Sequence, residues 1–178
     1  MTTENSEQSL HSTEEKDEIT TGAFVGVISL YKLKKKHSFE WFNALLPLSF
    51  STTLLHRAIA ECAYFGCDSI WITCEYEEQA LYKRVITRYI NDPLHYYFRL
   101  DPRWYDKIKR IPIYFVPMNP KDIGVRDSHA WGYINAAQQA LNVYKLISDK
   151  VPRFFYAAPI EGIYSAELLS KEIGRAHV

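Results

Sequence analysis

A nearly continuous apolar run, AFVGVISL at residues 23–30, opens the stretch that decides the fold. A basic loop, a helix that begins near Thr52 and a second apolar run, SIWIT at residues 69–73, follow it. Short apolar runs of this kind are typical of strands that are covered on both faces of a sheet. The order strand, loop, helix, strand therefore predicts two parallel strands joined by a crossover.

The same alternation continues along the chain. The predicted elements are a helix over Glu77–Ile90, a strand over Ile111–Pro117, a helix over Gly132–Ser148 and a strand over Arg153–Ala158. Helical spacing directs Leu81, Val85, Ile86 and Tyr89 of the first helix toward the core, and it includes Ile134 and Leu146 among the apolar positions of the second. We therefore expect an α/β fold, a three-layer Rossmann-like sandwich with a mostly parallel sheet.

The two ends of the chain differ from this core. Residues 1–22 hold six acidic residues against Lys16 alone, lack aromatic residues and predict a disordered acidic tail. Residues 172–178, EIGRAHV, resemble the translation of a sequencing adapter, so we expect a non-native tail there. The α/β domain is then expected to span residues 23–171 and to be truncated at its C-terminal side.

Composition limits the cellular setting. The chain of 178 residues is 47% hydrophobic and 24% charged, as is usual for one water-soluble domain. No stretch has the apolar length that spans a bilayer, which argues against a membrane partner. Three cysteines without zinc-ligand spacing fit a reducing compartment, so a cytoplasmic location is expected.

The basic loop after the first strand is the first candidate site. It carries Lys32, Lys34, Lys35 and Lys36, and in open α/β sheets ligands bind at the carboxyl ends of strands. Ammonium groups at that place favour a phosphate-bearing small molecule, whereas the alternative is an ordinary solvated loop.

A second candidate site lies before the last predicted helix. Arg126, Asp127, His129 and Trp131 cluster there ahead of Gly132, at a loop-to-helix junction where binding residues are common. The alternative is a helix cap without a ligand. Glu161 is the nearest acidic residue after the fourth predicted strand, and we count it as a further candidate site residue. The alternative is that it belongs to a simple turn.

Three short motifs carry a resemblance to a known family. They are LPL at residues 46–48, TTLL at residues 52–55 and DSHAWG at residues 127–132. In this order they resemble the nucleotidyltransferase-like superfamily, the sugar-nucleotide-forming enzymes related to GT-A glycosyltransferases. The resemblance implies a nucleotide or nucleotide-sugar binding domain that is a nucleotidyltransferase or a degenerate relative of one.

The resemblance also assigns roles to the candidate residues. Lys32 and Lys34–Lys36 would contact phosphates, and the second cluster, with Gly132, would contact the base or the sugar. Glu161 would help to hold Mg²⁺ or Mn²⁺, and the partner would be a nucleotide or sugar nucleotide. A GT-A-like glycosyltransferase is an alternative within the same superfamily.

An alternative of another class is a non-catalytic module that binds nucleic acid or a protein partner. Aromatic residues make up 15% of the chain, and residues 94–110 are rich in both aromatic and basic side chains. Stacking and phosphate contacts are the means by which proteins hold single-stranded nucleic acid. The sequence favours this alternative less, because it holds no recognised nucleic-acid motif.

Overall fold

A computed structural model describes residues 22–33, 43–93, 109–148 and 150–162. The strands are β1 (Ala23–Ser29), β2 (Pro47–Ser49), β3 (Thr52–Thr53), β4 (Ser69–Cys74), β5 (Tyr89–Asn91), β6 (Arg110–Pro117) and β7 (Pro152–Ala157). The helices are α1 (Leu54–Tyr64), α2 (Gln79–Val85) and α3 (His129–Ile147), and a 3₁₀ turn covers Asn43–Leu45. Lys34, Lys35, Lys36, residues 94–108, residues 172–178 and the acidic tail up to residue 21 lie outside the described residues.

Five of the described strands form one mixed sheet in the order β5-β6-β4-β1-β7. Strand β1 pairs in parallel with β4 on one side and with β7 on the other, and β4 pairs in parallel with β6. Strand β5 is antiparallel to β6. The predicted α/β fold with a mostly parallel sheet is therefore confirmed.

Helices pack against both faces of this sheet. Ile28, Ile70 and Ile72 belong to one buried cluster together with Leu55 and Ala58 of α1. A second buried cluster joins Val25, Val27 and Trp71 to Ala136 and Ala140 of α3. Neighbouring residues of β1 belong to different clusters, so both faces of the strand are covered. This explains why its sequence is apolar throughout.

Helix α1 has clear signals at both ends. The helix predicted to begin near Thr52 begins at Leu54: Thr53 is the N-cap, and its side chain accepts a hydrogen bond from the His56 backbone N–H. Thr52 and Thr53 form β3, which pairs with β2 as an antiparallel ribbon. At the other end Gly66 takes φ 78°, and Cys67 N–H donates to the Cys62 carbonyl oxygen at 3.1 Å. This is the αL ending for which glycine is favoured.

The prediction of a single helix over Glu77–Ile90 is wrong. Helix α2 ends at Val85, Ile86 has extended backbone, and Tyr89–Asn91 form β5. Tyr89 and Ile90 pair there with Pro112 and Ile111 of β6. The inward direction of Val85 and Tyr89 is also wrong, since both are exposed, whereas Tyr82 and Ile86 are buried.

Helix α3 begins three residues earlier than predicted, because Ser128 and not a later residue caps it. Its buried positions are mainly small: Gly132, Ala136 and Ala140, with Asn135. The predicted apolar positions Ile134 and Leu146 are exposed. Small residues allow α3 to lie close to β1 and β4.

Candidate functional site

A cleft of about 770 Å³ opens where β1 and β7 end and α3 begins. Its lining comes from the segment after β1, from the first residues of α3 and from the segment after β7. The lining residues are Lys32, Leu33, Asp127, Ser128, His129, Tyr133, Pro159, Ile160 and Glu161. The structure thus brings Lys32, Asp127, His129 and Glu161, which the sequence placed in three separate segments, to one cleft.

Gly132 fixes the start of α3 against the end of β1. A Cβ at this position would lie 2.1 Å from the Ser29 Oγ, so no larger residue fits without movement. Thr73 Oγ1 donates a hydrogen bond of 2.8 Å to the Gly132 carbonyl oxygen. Gly132 therefore lies on the sheet side of the helix, and it is not among the residues that line the cleft. Its predicted contact with a base or sugar stays a prediction.

Tyr31, Lys32 and Asp127 form a polar cluster, and the latter two of these residues line the cleft. The Tyr31 hydroxyl donates to Asp127 Oδ1, and Lys32 Nζ lies 3.4 Å from Asp127 Oδ2. Burial, together with the hydrogen bond to Asp127, raises the pKa of Tyr31 to about 12. The same hydrogen bond, with the nearby Lys32 ammonium, lowers the pKa of Asp127.

Lys32 also has an unusual backbone. Its φ of 50° lies in the left-handed region, which costs energy for a residue that carries a Cβ. Such conformations concentrate at functional sites, where surrounding contacts hold them in place. The ion pair with Asp127 and the Lys32 ammonium 5.7 Å from the Tyr31 ring centroid are two such contacts.

The hydrogen bonds of His129 define which ring nitrogen carries a proton. Nδ1 lies 2.9 Å from the Tyr31 carbonyl oxygen, which can only accept, so Nδ1 is the donor. In the neutral ring Nε2 is then the acceptor. Ser29 Oγ donates to the His129 carbonyl oxygen at 2.9 Å, and the Tyr133 ring meets the imidazole edge-on at 5.2 Å. His129 therefore brings to the cleft a fixed ring whose second nitrogen can accept a hydrogen bond.

Arg126 and Trp131 lie beside the cleft and do not line it. The Arg126 guanidinium lies 4.4 Å from the centroid of the Trp131 ring, and its Nη1 is 3.4 Å from Asp122 Oδ1. These contacts stabilise the loop that leads into α3. Contact of these two side chains with a base or sugar stays a prediction.

A partly buried polar network supports the wall formed by Pro159, Ile160 and Glu161. Arg57 of α1 donates through Nη2 to the Pro159 carbonyl oxygen at 2.6 Å, and its Nη1 pairs with Glu61. The Tyr156 hydroxyl of β7 donates to the same Glu61 carboxylate. The network joins α1 to the end of β7, and sequence reasoning missed all three of its side chains.

The described residues give little support for a cation site. No group of three or more His, Cys, Asp or Glu side chains in this part of the chain could hold a metal ion. Of the two acidic residues in the cleft lining, Asp127 has both carboxylate oxygens engaged, by Tyr31 and by Lys32. Both the divalent cation, Mg²⁺ or Mn²⁺, and the role of Glu161 as its ligand therefore stay predictions.

Comparisons with protein-family models, with curated proteins and with solved structures find no match to this chain. In the described part of the chain, no helix has the length and apolar character required to cross a membrane.

Proposed function

We propose that this chain binds a nucleotide or a sugar nucleotide in the cleft, as a nucleotidyltransferase or a degenerate relative of one. The observation that carries the proposal is the position of the cleft at the carboxyl ends of β1 and β7. From β1 the chain moves outward to β4 and β6, and it then returns to β7 on the other side of β1. In doubly wound sheets such a reversal of strand order marks the ligand site.

The same observations support a Rossmann-like three-layer sandwich as the class of this α/β fold. Counted along the chain, the four parallel strands have the order third, second, first, fourth, which is the order at the start of the Rossmann sheet. Helices α1 and α3 contribute to the buried clusters on different faces. We propose this class as the architecture that makes the cleft a binding site.

The lining of the cleft suits a ligand with an anionic part and a flat apolar part. The N-terminus of the 19-residue helix α3 supplies backbone N–H donors, and Lys32, which is paired with Asp127, supplies an ammonium group; both favour a phosphate group. Leu33, Tyr133 and Ile160 supply apolar surface on which a base or sugar ring can pack. His129 Nε2 can accept a hydrogen bond from the ring.

Thermal unfolding of the 178-residue chain tests the proposal. The probes are the four ribonucleoside triphosphates and the uridine and guanosine diphosphate sugars, each with and without Mg²⁺ or Mn²⁺. A ligand at one hundred times its Kd adds about 2.7 kcal/mol to the free energy of unfolding. For a chain of this size that raises Tm by roughly 5–10 °C. Absence of a shift with every probe would contradict the proposal.

Lys32→Asn tests whether the cleft is the place where the ligand binds. Asparagine tolerates the left-handed backbone and removes the charge, so the variant should fold while binding the active probe at least about fivefold more weakly. Lys150→Asn, an exposed lysine next to the other end of β7, is the control and should bind as the unmodified chain does. The triple change of Lys34, Lys35 and Lys36 to Ala measures the contribution of the remaining lysines. Equal affinities of Lys32→Asn and Lys150→Asn in calorimetric titration would place the ligand elsewhere.

A further inference from the structure

A basic surface lies at the opposite side of the sheet from β7, along β5, β6 and the end of α2. We call it the basic edge. Its side chains are exposed cations and exposed tyrosines, namely Lys83, Arg84, Arg88, Arg110, Tyr89 and Tyr114. Strand β6 is two positions away from β1 in the sheet, about 10 Å, so the basic edge is separate from the cleft.

The charge of the basic edge is of one sign. Residues 83–91 and 110–117 contain four Lys and Arg residues and no Asp or Glu. The nearest acidic residue in the sequence, Asp92, is buried, and its carboxylate lies 3.8 Å from Lys109 Nζ. An unbalanced group of exposed cations attracts polyanions.

A groove of about 440 Å³ runs along this surface. Strand β5 pairs only with residues 110–112 of β6, and the groove follows the next three residues of β6. Lys83 and Arg88 lie in its lining together with Tyr114, and the Ile113 N–H donates to the Arg88 carbonyl oxygen at 2.9 Å. The cations thus lie along the groove on the α2 side of β6, and the Tyr114 ring lies on the other face of the same strand, against Trp71.

Two tyrosine rings of the basic edge are held in place by neighbours. One side of the Tyr114 ring packs against Trp71, with centroids 4.5 Å apart, while 41% of the residue stays exposed. The Arg110 guanidinium lies 4.6 Å from the Tyr89 ring centroid. Aromatic rings that are already ordered lose little entropy when a base stacks on them.

We propose that the basic edge binds single-stranded nucleic acid. Phosphates would lie against Lys83, Arg84, Arg88 and Arg110, and bases would stack on Tyr114 and on the Tyr89–Arg110 pair. This is the combination of backbone charge neutralisation and base stacking by which proteins hold single strands without reading their sequence. An acidic protein segment would satisfy the cations but would leave the tyrosines without bases to stack on them.

Fluorescence anisotropy of labelled 12-nucleotide oligo(dT) and oligo(rU) with the full chain tests the proposal. Neutralisation of phosphates by four cations gives a slope of about −3 for log Kobs against log salt. Removing two of them in Lys83→Ala/Arg88→Ala should bring the slope to about −1.5 and weaken binding at low salt. The charge-matched control is Lys150→Ala/Arg153→Ala, which removes an exposed lysine and an exposed arginine at the β7 edge and should change neither quantity.

A separate variant tests the stacking of bases on Tyr114. Tyr114→Leu keeps apolar contact with Trp71 and should weaken oligonucleotide binding roughly fivefold or more, since base stacking contributes strongly. Tyr76→Leu, at a 77% exposed tyrosine outside the basic edge, is the control. Thermal unfolding of each variant verifies its fold.

Three results would overturn the proposal. The first is no anisotropy change at 50 mM salt with about 100 µM protein, a concentration at the weak end of the Kd range of non-specific binding. The second is equal weakening by the basic-edge and control variants. The third is unchanged affinity in Tyr114→Leu, or binding of a duplex as tight as that of the single strand, because either would indicate general attraction to polyanions.

Discussion

At the scale of single residues, the cleft depends on hydrogen bonds between residues that are about one hundred positions apart in the sequence. Tyr31 reaches Asp127, and the Tyr31 carbonyl oxygen determines the protonated nitrogen of His129. A single tyrosine thus orients both an acid and a base of the cleft. Its hydroxyl and its carbonyl group act on different partners, which allows their effects to be separated by mutation.

Tyr31→Phe should raise the pKa of Asp127 toward its ordinary value. The hydroxyl is the largest cause of the lowered pKa, and the variant removes it while leaving the backbone carbonyl bond to His129. The measurement is the carbon-13 chemical shift of the Asp127 carboxyl group as a function of pH. Tyr76→Phe is the control, and an unchanged Asp127 pKa in Tyr31→Phe would contradict the assigned cause.

The lowered pKa of Asp127 also predicts how stability depends on pH. A carboxyl group with a lower pKa in the folded state stabilises it above the unfolded pKa of about 4, and this contribution is lost as the pH falls through the folded pKa. The free energy of unfolding of the unmodified chain should therefore fall more steeply with acid than that of Tyr31→Phe. Urea titrations between pH 7 and pH 3 compare the two slopes.

At the scale of elements, α3 and α1 position the two walls of the cleft by different means. Helix α3 approaches β1 through small side chains, whereas α1 reaches the segment after β7 through the Arg57–Glu61–Tyr156 network. Close packing tolerates little change in volume, while a buried polar network tolerates little loss of a partner.

Gly132→Ala should destabilise the protein although alanine is the better helix former. The gain in helix propensity is at most about 1 kcal/mol, while overpacking against Ser29 costs about 1–3 kcal/mol. Ser29 cannot move away freely, because its Oγ donates to the His129 carbonyl oxygen. The free energy of unfolding in urea measures the net effect.

A double-mutant cycle with Ser29→Ala provides the control for this prediction. Removing the Ser29 Oγ leaves the Ser29 Cβ at 3.0 Å as the nearest atom, so the double variant should recover part of the loss. A Gly132→Ala protein as stable as the unmodified chain would show that α3 can shift away from β1 at no cost.

At the scale of the whole molecule, the sequence was most informative where a segment is buried on both faces. Strands β1 and β4 agree with the prediction to within one residue, because their short apolar runs are typical of strands buried on both faces. Strand β5 was missed, since Val85, Ile86 and Tyr89 also fit helical spacing and only pairing with β6 makes the segment extended. The cluster around Asp127 and His129 stood out at a loop-to-helix junction. Arg57, Glu61 and Tyr156 carried no local signal, because their contacts join distant parts of the chain.

The place of β7 in the sheet has a consequence for the order of folding. Val25 of β1 and its β4 partner Ser69 are 44 residues apart in the sequence, whereas Ala23 and its β7 partner Pro152 are 129 apart. Closing the longer loop costs more chain entropy, so we expect β7 to join the sheet after β1, β4 and β6 have assembled. Pulse-labelled hydrogen exchange during refolding should protect the amides of β4 before those of β7. Simultaneous protection would contradict this order.

Because one wall of the cleft follows β7, the cleft then exists only after the last step of folding. A molecule that occupies it would leave the rate of folding unchanged and would slow unfolding, since its contacts are absent from the transition state. A ligand in the cleft would in this way lengthen the lifetime of the folded chain.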